Sequence, residues 1–187
     1  LTTAIKEMMA DDAGKDHQLL ARAKEKTQGL ISLIGDLLDL SRIEAGTASL
    51  ASKPVQLGEL LKDIVDFLAA QARVKEQRLD LVPPSESMPA IHTDPMVLES
   101  IFGNLITNAI KYTPNKGRIT VTAEFTGKQH RVSVADNGYG IDPKHLKKIF
   151  ERFYRVKNDN TRFIIGTGLG LPIVNGLVNA LGGSINV

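Results

Sequence analysis

The stretch Asn104-Leu105-Ile106-Thr107-Asn108-Ala109-Ile110-Lys111-Tyr112-Thr113-Pro114 decides how the rest of the chain is read. In a helix, Asn104, Asn108 and Lys111 fall on one face, at i, i+4 and i+7. Two carboxamides and an ammonium so placed can hold a hydrated metal and phosphate oxygens. The Asn side chain offers a neutral oxygen of the kind Mg²⁺ prefers, and Lys111 offers charge to phosphate. Taken alone, a solvated polar face is the simpler account.

The neighbouring sequence supplies the frame. Asp94 is a capping residue ahead of Pro95, which the first turn of a helix tolerates, so a helix is expected from there to about Tyr112. Residues 117–125 and 130–136 alternate apolar and polar, with Ile119, Val121, Ala123 and Phe125, then Val132 and Val134, around a Thr126-Gly127-Lys128 turn. Upstream, residues 57–76 carry Leu57, Leu60, Leu61, Ile64, Val65 and Leu68 on one helical face. Leu79–Val82 and Ala90–Thr93 read as strands, with Pro83-Pro84 in the loop between them. A short helix after Pro143 and a last helix from about Leu169, with Pro172 in its first turn, complete the mixed α and β pattern. The closing Gly-Gly-Ser-Ile-Asn-Val reads as a strand.

Three more clusters carry candidate chemistry. In Asp136-Asn137-Gly138-Tyr139-Gly140-Ile141 an acid ends an apolar strand, and two glycines let the chain turn sharply and approach a ligand. A carboxylate there can accept a hydrogen bond from an adenine amino group, although an ordinary Asp-Asn-Gly turn is common. Ile149-Phe150-Glu151-Arg152-Phe153-Tyr154-Arg155 is aromatic-rich in a chain with only 5% aromatics, where Phe at i and i+3 more often means packing. Gly166-Thr167-Gly168-Leu169-Gly170-Leu171-Pro172-Ile173-Val174 is a glycine-rich loop opening a helix, which presents free N–H groups to phosphate. It fits neither the dinucleotide fingerprint nor the P-loop, since Leu171 stands where the third glycine belongs and no Lys-Ser/Thr follows.

The first quarter of the chain has a different pattern. Residues 15–45 read as one long helix, with Leu20, Ala23, Thr27, Leu30, Ile34, Leu37 and Ser41 spaced alternately by three and four. Leu33, Leu38 and Leu40 widen that stripe beyond a two-helix seam, so a bundle of several helices is expected. Residues 1–10 read as the tail of a preceding helix, and Asp11–Asp16 as the turn between the two. Composition agrees with a soluble globular protein: 187 residues, 42% apolar, 24% charged, net charge +2. The small basic surplus argues against nucleic acid. The absence of Cys excludes disulfides and thiolate metal sites. No apolar run reaches a membrane span, so no direct membrane contact is expected of this stretch; a cytoplasmic location is expected, with a membrane anchor elsewhere in a longer protein left open.

Each cluster is weak by itself; in this order and spacing they are specific. They resemble the N, G1, F and G2 boxes of sensor histidine kinases, whose fold is shared with type II topoisomerases, a heat-shock chaperone family and mismatch-repair ATPases. The aromatic cluster and the preceding long helix single out the kinases. Leu37-Leu38-Asp39-Leu40-Ser41-Arg42-Ile43-Glu44-Ala45-Gly46 resembles the stretch joining the dimerisation helices to the catalytic domain, and Leu1-Thr2-Thr3-Ala4-Ile5 the tail of the H box. The resemblance implies an α+β chain: residues 1–45 from a helical hairpin that forms a dimeric four-helix bundle, then an ATP-binding catalytic domain over 46–187. The latter would be a two-layer α/β sandwich of the Bergerat type, cut short at its C-terminus.

By the same resemblance, the cofactors are ATP and Mg²⁺. Asn108 holds the metal, Asn104 lies near the phosphates, Lys111 contacts them, and Tyr112 packs near the nucleotide. Asp136 reads the adenine amino group, with Gly138, Gly140 and Ile141 around the base. Residues 142–168 form a mobile lid, in which Phe150 and Phe153 anchor it to the domain or dock it on the bundle. Arg152, Arg155, Lys157 and Arg162 can counter phosphate charge, Arg155 counted among the nucleotide-site residues, and the resemblance leaves open which of the four touches ATP. Gly166, Thr167, Gly168, Leu169, Gly170 and Leu171 hinge the lid and bring backbone N–H groups to the phosphates. The implied reaction passes the γ-phosphoryl to a His and then to an Asp of a response regulator, and the implied partners are a second copy and a receiver domain.

Departures from the family pattern are specific. The phosphoacceptor His is expected about six residues before Leu1, outside this sequence, and His17, His92, His130 and His145 sit in no similar motif. Val97 and Glu99 stand where basic residues are frequent, and Ile165 where a small residue is common before Gly166. Two other readings compete: a nucleotide-binding regulatory module acting through dimer contacts, and a mechanical ATPase of the same superfamily. The whole reading requires Asn108, Asp136 and Gly168 to converge on one nucleotide.

Overall fold

A computed structural model describes residues 19–20, 23–24, 27, 29–31, 33–38, 41, 52–83 and 88–187. The chain divides near residue 39 into two compact units. In the first, every described residue is helical, and the helix, α1, is described there at residues between 19 and 38. Leu19, Leu20, Leu30, Ile31, Ile34, Leu37 and Leu38 are all exposed on it. The expected turn at 11–16, the preceding helix and the stop at Gly46 lie outside the described residues, as does His17.

The second unit runs β1 (Lys53–Val55), α2 (Leu57–Val74), β2 (Arg78–Val82), β3 (Ile91–Thr93), α3 (Pro95–Tyr112), β4 (Arg118–Phe125), β5 (His130–Asp136), a 3₁₀ turn (Pro143–His145) and α4 (Gly170–Ala180). β1 and β3 pair antiparallel as a two-stranded ribbon. The main sheet has the order β2-β4-β5, with β2 parallel and β5 antiparallel to β4. Alternation on β4 sends Ile119, Val121 and Ala123 inward, where they are buried, and Thr120 and Thr122 to the other face. The register opposes Ile119 to Asp136 and Val121 to Val134. Directly opposed residues share a face, so Asp136 projects from the same side of the sheet as the core.

α2 and α3 pack against the sheet, and α4 packs on α3. Each buries a stripe at helical spacing: Leu57, Leu61, Ile64, Val65, Leu68 and Ala72 on α2; Leu98, Ile101, Phe102, Ile106, Ala109 and Ile110 on α3; Ile173, Val174 and Leu177 on α4. Asp94 caps α3 as the sequence suggests, its Oδ1 accepting from the Met96 N–H at 2.9 Å, with Pro95 in the first turn. α2 ends in a Schellman arrangement: Gln77 N–H donates to Ala72 O and Glu76 N–H to Arg73 O, each at 2.9 Å. Glu76 takes the left-handed position, at φ 52°. Burial lowers the Lys75 pKa from its ordinary value.

Two expectations change. The Gly-Gly-Ser-Ile-Asn-Val segment is not a strand: residues 183–187 have no ladder partner among the described residues, and an extended segment becomes a strand only by pairing. β1 is an additional strand. It is three residues long with Pro54 in its middle, which a two-stranded ribbon with an open edge accommodates.

Candidate functional site

The polar face of α3 is the floor of the site. Asn104, Asn108 and Tyr112 succeed one another at intervals of four, half-buried, with exposed Lys111 beside them. Asn104 Nδ2 donates to Ser100 O at 2.8 Å, which turns its Oδ1 outward from the helix backbone. The first residue of α4 packs against this face. A Cβ on Gly170 would lie 2.8 Å from Asn104 Oδ1 and 3.8 Å from Asn108 Nδ2. Only glycine lets the glycine-rich loop come so close to both carboxamides.

The other end of the floor meets the Asp136 turn. Tyr139 N–H donates to Tyr112 O at 3.2 Å, and Gly138 N–H donates to Asp136 Oδ1 at 2.8 Å. A Cβ on Gly138 would come within 2.5 Å of Tyr112 O. Asn137 is the hinge pin: its Oδ1 accepts from Arg118 N–H at 2.7 Å, and its own N–H donates to Arg118 O at 3.2 Å. Gly138 engages Oδ1 of Asp136, which leaves Oδ2 as the second acceptor of that carboxylate. α3 thus touches the glycine-rich loop at Asn104 and Asn108 and the Asp136 turn at Tyr112. Gly140 and Ile141 follow the turn and are exposed, Gly140 in the left-handed region at φ 69°.

α4 opens without a side-chain cap. Thr167 Oγ1 accepts from the Leu169 N–H at 3.2 Å, while Gly170 and Leu171 supply first-turn N–H groups that no intrahelical carbonyl can take. Pro172 has none to offer. Leu169 itself is fully buried, which fixes the loop to the core, and Leu171 is half-buried. Gly168, at φ 77°, accepts from the Phe153 N–H through its carbonyl at 3.0 Å; a Cβ there would lie 2.8 Å from the Phe153 carbonyl carbon.

The segment 142–168 differs in detail from its sequence reading. Phe153 does not anchor it to the domain: the residue is 63% exposed, and its backbone sits at φ 62°. The buried contact is Ile149, with Phe150 half-buried beside it. Arg155 is occupied within the segment, donating to Gly166 O at 3.0 Å and to Ile164 O. It braces the loop rather than pointing a spare charge outward. Arg162 lies over the Phe163 ring, 4.8 Å from its centroid, and Lys157 is exposed. Thr161 is a buried staple, its hydroxyl donating to Val156 O at 2.8 Å. Lys144, hydrogen-bonded to the Asp142 carboxylate at 2.8 Å, lowers the Asp142 pKa from its ordinary value. Asp142 in turn caps the 3₁₀ turn through Lys144 N–H.

The described histidines play structural parts. His130 packs on Phe125 with ring centroids 4.9 Å apart, and His145 Nδ1 lies 2.7 Å from Tyr154 Oη. His92 is an exposed residue of β3. Two clefts lie beside the site rather than in it. One, of about 530 Å³, runs between α2 and α3 along Ile64, Phe67, Leu68, Glu99 and Gly103. The other, of about 450 Å³, touches Asp136 at the sheet edge with Lys116, Arg118 and Asn137. Neither contains Asn108 or Gly168. Among the described residues no cluster of His, Asp or Glu could hold a metal by itself. A cation on the α3 floor would depend on the Asn oxygens, water and the ligand's own phosphates, a set that suits Mg²⁺.

These contacts fit an ATPase fold in which a helix carrying paired asparagines faces a glycine-rich loop, and residues 93–187 match the profile of the histidine kinase-, DNA gyrase B-, and HSP90-like ATPase family. The chain belongs to that family. Within it, the relatives are sensor histidine kinases, and this chain carries a histidine kinase catalytic ATP-binding domain. An uncharacterised sensor-like histidine kinase of Rhizobium meliloti is 37% identical over 158 residues, covering 84% of this chain and 30% of the relative. The sensor histidine kinase WalK of Bacillus subtilis is 30% identical over 187 residues, covering 96% of this chain and 30% of that protein. Among solved structures, full-length ShkA in complex with AMPPNP matches with a TM-score of 0.70 at 33% identity, over 82% of this chain and 31% of that one. The chain thus spans 30% of the length of each of these two curated relatives.

Proposed function

We propose that this chain binds Mg-ATP on the α3 floor as the catalytic part of a sensor histidine kinase. The γ-phosphoryl goes to a His outside this sequence and from there to an Asp of a response regulator receiver domain. One observation carries the reading: a single helix face meets the glycine-rich loop at Asn104 and Asn108 and the Asp136 turn at Tyr112. The nucleotide supplies the phosphoryl group; this chain's residues position it and balance its charge, which is most of what phosphoryl transfer asks of a protein.

Asp136 Oδ2 accepts from the adenine amino group, and the glycines at 138 and 140 leave space for the base next to Ile141. Asn108 offers its carboxamide oxygen to Mg²⁺, with Asn104 nearby, and Lys111 balances phosphate charge. The uncapped N–H groups of Gly170 and Leu171 attract phosphate oxygens at the start of α4. Arg155 acts indirectly, holding the 164–166 carbonyls so that the loop reaches α4 in register. The exposed apolar face of α1 supports a bundle with a second copy, since seven large side chains in water are a face that association covers.

Titration of the full 187-residue chain with Mg-ATP tests the proposal. Wild type should bind; Asp136→Asn and Asn108→Ala should each weaken binding about tenfold or more, the worth of one hydrogen bond to a charged group. The Asn108→Ala loss should depend on Mg²⁺. If wild type does not bind Mg-ATP, or neither variant differs from it, the proposal is wrong. Transfer itself is read with the longer protein, by γ-phosphate incorporation at the upstream His.

A further inference from the structure

The C-terminal end of α3 is held by side chains from an element outside the site. Lys75 Nζ donates to Ile110 O at 2.7 Å, to Thr113 O at 2.5 Å and to Lys111 O at 3.2 Å. Gln77 Nε2 donates to Ile110 O at 3.0 Å, Thr113 O at 2.6 Å and Pro114 O at 3.3 Å. The backbone reinforces the seat, with Lys116 N–H donating to Lys75 O at 3.0 Å and Arg78 N–H to Gly117 O at 2.9 Å. Lys75 is half-buried and Gln77 buried. The left-handed Glu76 between them turns both side chains back under the helix end.

The last four carbonyls of α3 can be accounted for one by one. Ala109 O takes the Thr113 N–H at 3.0 Å. Ile110 O takes Lys75 and Gln77, and Lys111 O takes Lys75. Tyr112 O, bracketed by carbonyls that Lys75 holds on either side, takes Tyr139 N–H. That last bond seats the Asp136 turn, and it does so at the closest approach in the site, where Gly138 leaves no space for a methyl group. A cation at a helix C-terminus is also favoured by the helix dipole.

We infer that Lys75 and Gln77 are positioning residues for the nucleotide site, fixing the direction of the Tyr112 carbonyl and through it the placement of Asp136. The inference rests on the reading of Asp136 as the adenine-contacting group. Without the ammonium, the last-turn carbonyls turn toward water, Tyr112 O loses its aim, and the Tyr139 bond loosens. The effect falls on the adenine end. The Asn104–Gly170 contact, two helical turns earlier, keeps its own support from Ser100 O and the buried Leu169.

The test is a double-mutant cycle on the full chain, with Mg-ATP and Mg-GTP affinities measured well below each variant's melting temperature. Lys75→Met keeps the apolar stem and removes the donor. It should cost several-fold in ATP affinity, narrow the ATP-over-GTP preference, and add little in an Asp136→Asn background. Lys75→Arg, which retains charge and donors, should restore most of the affinity. Amide exchange at Tyr139 should quicken in Lys75→Met and not in Lys75→Arg. A Lys75→Met protein that melts lower but binds ATP like wild type would show a plain helix cap and overturn the inference, as would additive losses in the double variant. Should Lys75→Met not fold, Gln77→Met gives the same readouts with the charge left in place, and unchanged binding there refutes the idea equally. Loss of binding in Asp136→Asn with no effect of either clamp variant sinks this inference alone; a wild type that ignores Mg-ATP sinks it together with the functional reading.

Discussion

Replacing Gly138 with Ala tests the site at its tightest point. A methyl group there would sit 2.5 Å from Tyr112 O, 3.0 Å from the Tyr112 carbonyl carbon and 2.6 Å from Asp136 Oδ1. Two of those three atoms are backbone of a helix end that is hydrogen-bonded on both sides, so the helix cannot yield and the turn must. Moving it breaks the 3.2 Å Tyr139–Tyr112 bond and strains the 2.8 Å Asp136–Gly138 bond. Overpacking of this kind costs about 1–3 kcal/mol and a lost hydrogen bond about 1 kcal/mol. A net loss of ~2 kcal/mol lowers the melting temperature by roughly 4–8 °C for a chain of this size. If Asp136 bonds the base as proposed, displacing it also costs about tenfold or more in Mg-ATP affinity. Calorimetric titration and thermal unfolding read the two effects separately. A Gly138→Ala protein with wild-type melting and wild-type affinity would refute the geometry of the turn and the role given to it.

Three further substitutions probe the frame. Asp94→Ala removes the α3 cap and should cost about 1 kcal/mol in denaturant unfolding, without loss of Mg-ATP affinity in the folded protein. Glu76→Gly relieves the left-handed backbone and should stabilise by up to about 1 kcal/mol, because the ion pair it gives up, to Lys116 at 3.9 Å, is exposed on both sides and is worth little. Arg155→Met frees the Ile164 and Gly166 carbonyls and should make residues 156–166 several-fold more sensitive to limited proteolysis; unchanged cleavage rates would show that the brace is dispensable.

What the sequence made legible was whatever a single element decides alone. The Asp94-Pro95 start of α3, the alternation of β4 and β5 and the Thr126–Lys128 turn are local patterns, and the structure follows them. Features that two distant segments decide together were not legible. Nothing in Arg78–Val82 says that it pairs parallel to Arg118–Thr122, nor that three-residue β1 exists at all. The terminal strand was over-read because β-pattern without a neighbour is not a strand. Arg155 shows the same limit in the site: its charge suggested phosphate, and nothing in the local sequence says that its guanidinium also donates to the Ile164 and Gly166 carbonyls. Glu76 and Phe153 carry no sequence signal, since glycine is the usual mark of a left-handed residue and neither position has it.

The site and the core are two sides of the same helix, and this is why a weak polar motif can place chemistry well. Each residue of α3 is turned about 100° from the last. Burial of Ile101, Phe102, Ile106, Ala109 and Ile110 leaves only one rotation of α3 in which the apolar stripe meets the sheet and the neighbouring helices. In that rotation Asn104 and Asn108 meet Gly170, and Tyr112 meets the Asp136 turn. Slipping the helix by one residue would bury Thr107 or Lys111 in place of Ile106 or Ile110, at a cost of several kcal/mol for the buried polar groups. The core therefore sets the angular position of the asparagines, while Lys75 and Gln77 set the axial position of the helix end. The asparagines themselves need only be polar, short and four apart. Substitutions that enlarge Ala109 or Ile106 should accordingly disturb nucleotide binding although both side chains are buried in the core.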